Sequence, residues 1–315
     1  MINAGCAMRL LPIEKIPPDL WRNSVLRLPQ HLSSTYVAYL DKLGLKDLSV
    51  DTTEKSVHGG KTMEETREHF ARRFAVSAGR VEYSTLGPSD QFEGLSEAFL
   101  STFSDGFIGV LDIPCGTGAM TAALVSTLTK LRSEKVIPRL PLTISVCAGD
   151  YSAEALNIFS LLIQELVEPA AVQGITLIWE TNEWDATRGD QTAHLVDRWF
   201  ATSTPATEFF VAVTNFSRAL HSAGAFESFS PCFEQILARL HDKQSTVVWV
   251  EPATKSAKAG VLARLSQFIK ARISWYRSTN STPPQSITES EYQIEHPVNR
   301  QPIRTNVAVY RFDRT

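Results

Sequence analysis

The chain has 315 residues, of which 43% are apolar and 21% charged, the mixture of a packed globular protein; disordered and fibrous classes are excluded. The length suits one large α/β domain with an appendage, or two modest domains. A formal charge of −3 excludes a global electrostatic pull toward nucleic acid or an acidic membrane surface.

In chain order, residues 1–105 read as a helical appendage. Pro17, Pro18 and Asp19 start one helical pattern, and residues 35–43 carry apolar positions at helical spacing. Residues 62–76 predict an amphipathic helix with Phe70, Phe74 and Val76 on one side; its acids come early and its arginines late, as the helix dipole prefers. A loop at 84–89 (STLGPS) precedes a further helical pattern through Phe92, Leu95, Phe99 and Phe103.

Beyond Gly106 short β-branched runs alternate with helical patterns, which predicts βαβ units and a mostly parallel sheet with helices on both faces. The strands fall at 108–113, 142–147, 175–179, 209–213, 246–250 and 306–312. Helices fall at 119–131, 153–167, 191–200, 229–241 and 257–273, and residues 278–286 (STNSTPPQS) read as a flexible loop. The expected division is therefore an appendage over 1–105 and a ligand-binding α/β domain over 106–315.

The chemistry concentrates where the first strand enters its helix, at residues 112–118 (DIPCGTG). Small residues there let backbone amides approach a ligand beside a helix N-terminus. A carboxylate directly before the glycines is a poor neighbour for a pyrophosphate, and Thr121 stands where the last glycine of a dinucleotide fingerprint belongs. Asp112 suits a cationic amino group instead.

Residues 110–118 (VLDIPCGTG) resemble the first motif of the class I, Rossmann-like S-adenosylmethionine-dependent methyltransferases, with Pro114 replacing the usual first glycine. The resemblance covers roughly residues 106–315. It implies a Rossmann-like sheet closed by an antiparallel last strand, which the alternating run at 304–313 suits, and S-adenosyl-L-methionine as cofactor. It also implies cofactor contacts from Asp112, Pro114, Cys115, Gly116, Thr117 and Gly118. Asp150, with Tyr151 beside it, ends the second strand where the family's acid receives the ribose hydroxyls; Asp150 equally suits the start of a helix as a cap. After the third strand, Trp184 and Asp185 stand where the family holds the adenine, or else form a polar turn with a core tryptophan. Asn215, after the fourth strand, lies at the carboxyl edge where ligands of open α/β sheets bind, for the methionine moiety or the acceptor.

For the reaction, the sequence nominates only His221 and Tyr83 as candidate bases, and the N-terminal helices with the loop around Tyr83 as a lid over cofactor and acceptor. Cys115 reads as a small packed side chain rather than a nucleophile. The four cysteines form no CxxC pair or Cys/His cluster, so no metal is expected. No apolar run reaches the ~20 residues of a membrane span and the first thirty residues lack a basic stretch followed by a long apolar one, so no membrane partner and a cytoplasmic location are expected. Residues 58–62 (HGGKT) lack the leading glycine and strand of a Walker loop. Between 253 and 280 Lys255, Lys258, Arg264, Lys270, Arg272 and Arg277 accumulate around Trp275 and Tyr276; the sequence favours a solvated face there over a nucleic-acid contact. The expected activity is methyl transfer to an unidentified acceptor, small molecule or macromolecule. The alternatives are a cofactor-binding scaffold protein of the same fold, an RNA-directed methyltransferase using the basic segment, and a nicotinamide oxidoreductase.

Overall fold

A computed structural model of the protein describes residues 9–51, 60, 62–222, 225–254, 264, 267 and 288–314. Two short strands, β1 (Trp21–Arg22) and β2 (Val25–Leu26), precede helices α1 (Gln30–Leu43), α2 (Lys46–Val50), α3 (Met63–Leu86) and α4 (Glu93–Thr102). Strands and helices then alternate through β3 (Gly106–Asp112), α5 (Ala119–Ser133), β4 (Leu142–Asp150), α6 (Ala153–Val172), β5 (Ile175–Glu183), α7 (Gly189–Thr202) and β6 (Glu208–Thr214). Helices α8 (Ser217–Ser222) and α9 (Phe226–Arg239) lead to β7 (Ser245–Glu251), β8 (Thr288–Glu295) and β9 (Pro302–Arg314).

All nine strands join one sheet in the order β1-β2-β8-β9-β7-β6-β3-β4-β5. Strands β3 to β7 are mutually parallel, and β9 runs antiparallel to both neighbours, β7 and β8. Successive side chains of a strand point to opposite faces, so a strand apolar at every position needs cover on both. Along β6, Phe210 and Ala212 enter one core with α1, α3, α4, α5 and α6, while Phe209, Val211 and Val213 enter the other with α7 and α9. Trp249 anchors the second core, edge-on to Phe229 and Phe233 at 5.9 Å each.

The α/β class, the parallel sheet covered on both faces and the antiparallel last strand agree with the sequence reading. Three strands are additional to it. Strand β8 reads polar because of its eight residues only Tyr292 and Ile294 are buried, and β1 and β2 are two residues each. Residues 1–105 are thus not helical throughout: β2 pairs with β8 at the sheet, and no helix begins at Pro17, whose carbonyl closes a turn by accepting from Leu20 and Trp21. Helix α3 continues through Ser84, Thr85 and Leu86, expected to be loop, and stops at Gly87 with φ of 55°. Helix α6, with 20 residues, is long and apolar enough to cross a membrane by length and composition, contrary to the expectation that no run was; its apolar face packs into the core beside β4 and β5. The helix expected over 257–273, the basic run apart from Arg264, the loop at 278–286 and most of 58–62 lie outside the described residues.

Candidate functional site

Strand β3 sits between β4 and β6, where the sheet order reverses and chain connections leave in opposite directions, the place where open α/β sheets leave a crevice at their carboxyl ends. The turn following it is stitched to both neighbours. Ile113 N–H donates to Ala212 O at the end of β6, and Cys115 N–H donates to Gly149 O at the end of β4, each at 2.9 Å. Gly116 and Gly118 take φ of 52° and 88°, which L side chains rarely adopt. The two differ in surroundings. A Cβ on Gly118 would lie 2.9 Å from the Phe159 ring of α6, whereas one on Gly116 would meet nothing within 4 Å. The turn is closely packed beneath Gly118 and open at Gly116.

Two carboxylates flank it. Asp150 is buried, and its Oδ2 accepts from Gly116 N–H while Oδ1 accepts from Ser152 N–H, both at 2.9 Å. It thereby ties the turn to the start of α6, whose cap is Ser152, accepting from Ala155 N–H at 3.2 Å. Burial raises the Asp150 pKa, and the main-chain donors oppose that rise. Asp112 is fully buried; Oδ2 accepts from the Thr121 hydroxyl at 2.7 Å, and Oδ1 has no partner among the described residues. Burial pushes the Asp112 carboxyl up to about 7, with the Thr121 donors pulling it down and Asp150 adding repulsion.

On the other side, Asn215 holds φ of 55°, donates its N–H to Val250 O and accepts at Oδ1 from Arg80 Nη1 at 2.9 Å. Glu251, at the end of β7, fixes this corner: its Oε1 accepts from Phe216 N–H, Ser217 N–H and Trp249 Nε1–H at 2.7, 2.8 and 2.7 Å.

The sequence candidates separate accordingly. Asp112, Pro114, Cys115, Gly116, Thr117, Gly118 and Asp150 come together, with Tyr151 half-exposed beside them and Asn215 across the β3 end. Cys115 is buried, and burial pushes its thiol well above the usual range, the state of a packed side chain. Trp184 is buried in the second core with its indole N–H given to Thr192 at 3.0 Å, so it presents no open ring face. Asp185 is exposed and closes its own turn by accepting from Thr187 N–H at 2.9 Å. Tyr83 is helical, not in a loop; it stacks on Tyr292 at 4.2 Å and bonds Ser290 on β8 at 2.8 Å, four strands or roughly 19 Å from β3. His221 lies on α8, exposed.

Sequence reasoning found a helix over 62–76 but missed the part that α3 plays at the site. Thr66 bonds the Ser152 hydroxyl at 2.9 Å beside Asp150, and Arg80, fourteen residues on, reaches Asn215. The signal was present as polar residues at 66, 69, 73 and 80, helical spacing along the border of the apolar face.

No protein-family model matches the chain, and no curated protein matches it. Among solved structures, the chain is similar to one from work on the conversion of a disulfide bond into a thioacetal group during echinomycin biosynthesis. Identity is 14% and the TM-score 0.34, with 70% of this chain and 79% of that chain covered.

Proposed function

We propose that the protein binds S-adenosylmethionine at the β3–α5 turn and transfers its methyl group to an acceptor in the adjoining crevice. The observation that carries this reading is the pair of buried carboxylates on neighbouring strand ends around an open glycine turn: Asp112 with an oxygen lacking a donor, and Asp150 bonded to Gly116. The unpartnered Asp112 Oδ1 fits a cationic amino group, directly or through one water, and the open side of Gly116 fits a ligand lying against the backbone. Asp150, at the end of the neighbouring strand, would take the ribose hydroxyls. The core position of Trp184 and the turn at Asp185 give no support to their adenine roles. The antiparallel β9, inserted between β7 and β8, departs from the all-parallel dinucleotide-binding order and supports this cofactor over a nicotinamide.

When bound, the cofactor supplies an already activated sulfonium methyl group. The chain's residues then have to align an acceptor for in-line displacement and keep water out, work done by positioning more than by acid–base chemistry. Calorimetry with S-adenosylmethionine and S-adenosylhomocysteine tests the reading. Micromolar binding by the protein and at least tenfold weakening in Asp112→Asn and Asp150→Asn are expected; no binding by the unmodified protein overturns it. Tritiated-methyl transfer to cell RNA, protein and metabolite fractions then separates an enzyme from a cofactor-binding scaffold.

A further inference from the structure

Helix α3 crosses the carboxyl edge of the sheet with both ends of one polar stripe pinned. Thr66 is held at the β4 end through Ser152 at 2.9 Å; Arg80 is held at the β6 end through Asn215 Oδ1 and at β9 through Asn306 O, each at 2.9 Å. His69 and Arg73 occupy the same stripe between those anchors, and the strand between β4 and β6 is β3. The stripe therefore runs past the glycine turn.

Its cations are unusual in their partners. Arg72, one residue away on another side of the helix, is held by Asp51 and Glu68 at 2.7 and 3.0 Å. Arg73 is exposed and has no carboxylate partner among the described residues, while the groups nearest in charge to it are Arg72 and Arg218. Arg80 donates only to an amide oxygen and a main-chain carbonyl. The carboxylate near it, Glu251, already accepts three N–H donors. Like charges gathered beside a crevice, on a chain of net charge −3, cost stability unless an anion sits among them.

We infer that Arg73 and Arg80 form an anion subsite beside Asn215, and that the methyl acceptor is a molecule carrying a carboxylate or phosphate group held there. The second clause rests on the proposed methyl transfer; the anion subsite stands without it. Guanidinium groups suit both anions through paired N–H donors.

The test titrates benzoate and phenyl phosphate into the full chain, with and without saturating S-adenosylhomocysteine, by calorimetry. Millimolar or tighter binding of one anion is expected, weakened at least tenfold in Arg73→Gln and in Arg80→Gln, unchanged in Arg72→Gln, with S-adenosylhomocysteine affinity altered less than twofold. The preferred anion distinguishes a carboxylate acceptor from a phosphate one. Arg73→Gln is the decisive variant, because the side chain is exposed and makes no packing bond. No binding of either anion overturns the inference, as does an Arg73→Gln variant that loses S-adenosylhomocysteine affinity tenfold, which would give the arginines to the cofactor. Anion binding without any S-adenosylhomocysteine binding keeps the subsite and overturns the methyl-transfer reading.

Discussion

Asp112 and His69 are titratable groups that burial shifts in opposite directions, and their effects on stability oppose each other. Burial raises the folded-state pKa of Asp112 from 3.8 to about 7, so the stability tied to its protonated form is full below pH 3.8 and is lost as pH rises through 7. His69 is lowered from 6.5 to about 4 by burial and by Arg73; the stability tied to its neutral form is full above pH 6.5 and falls as pH drops toward 4. Urea denaturation at pH 5 and 8 should therefore show Asp112→Asn gaining on the parent toward pH 8, by at most about 3 kcal/mol, since about two units lie between pH 5 and the folded-state value and a unit of pKa corresponds to about 1.4 kcal/mol. His69→Gln should gain on the parent toward pH 5. Parallel pH curves for parent and variants would contradict both assignments. The two turn glycines separate by their surroundings. Alanine at 116 adds only the left-handed backbone penalty, about 1 kcal/mol, whereas alanine at 118 adds a clash with Phe159. Gly118→Ala should lower Tm clearly more than Gly116→Ala; equal losses would show the packing beneath Gly118 to be yielding.

At the scale of elements, the end of the sheet opposite the crevice is held by one side chain. Arg132, on α5 and fully buried, donates to the carbonyls of Ser104, Leu140 and Gln173 at 2.8, 2.6 and 3.1 Å, joining the three connections that enter β3, β4 and β5. Arg132→Met keeps the aliphatic stem and leaves those carbonyls without their donor, each costing about 1–3 kcal/mol. A loss of about 3 kcal/mol or more in denaturant unfolding is expected, and less than about 1 kcal/mol would show that water replaces the guanidinium. Helix α3 is defined from its other end by a reciprocal capping box, in which Thr62 Oγ1 accepts from Glu65 N–H at 3.2 Å and Glu65 Oε2 accepts from Thr62 N–H at 3.3 Å. Its beginning was legible for that reason. Its end was not, because Ser84 and Thr85 are indifferent helix formers that compete for backbone bonds. In the fold their hydroxyls bond the carbonyls of Arg80 and Val81, one turn back, at 2.8 and 2.9 Å. The packed interface overrides the weak local preference.

At the scale of the molecule, the N-terminal segment shares the core. Leu26, Leu32, Tyr36 and Leu40 are fully buried in the cluster that also holds the β3, β4 and α5 side chains. Burying such a side chain contributes about 1.5–3 kcal/mol, so removing four of them rivals the 5–15 kcal/mol that keeps a typical domain folded. Deleting residues 1–44 should abolish a cooperative thermal transition; a truncated chain that melts at the parental temperature would contradict this. Sequence alone determined the alternating α/β order and the position of the glycine turn, because these are written in local periodicity and in the φ values only glycine accepts readily; the antiparallel direction of the last strand was implied by the family resemblance. It did not reveal the polar strand β8, which is exposed at most of its positions, nor decide between the adenine and core readings of Trp184, whose neighbours come from other elements. The tertiary structure decided that Asp150 bonds Gly116 and that Arg80 reaches Asn215. The first relation follows from the pairing of β3 with β4, and the second joins residues far apart in the chain that the packing of α3 at the sheet edge brings together.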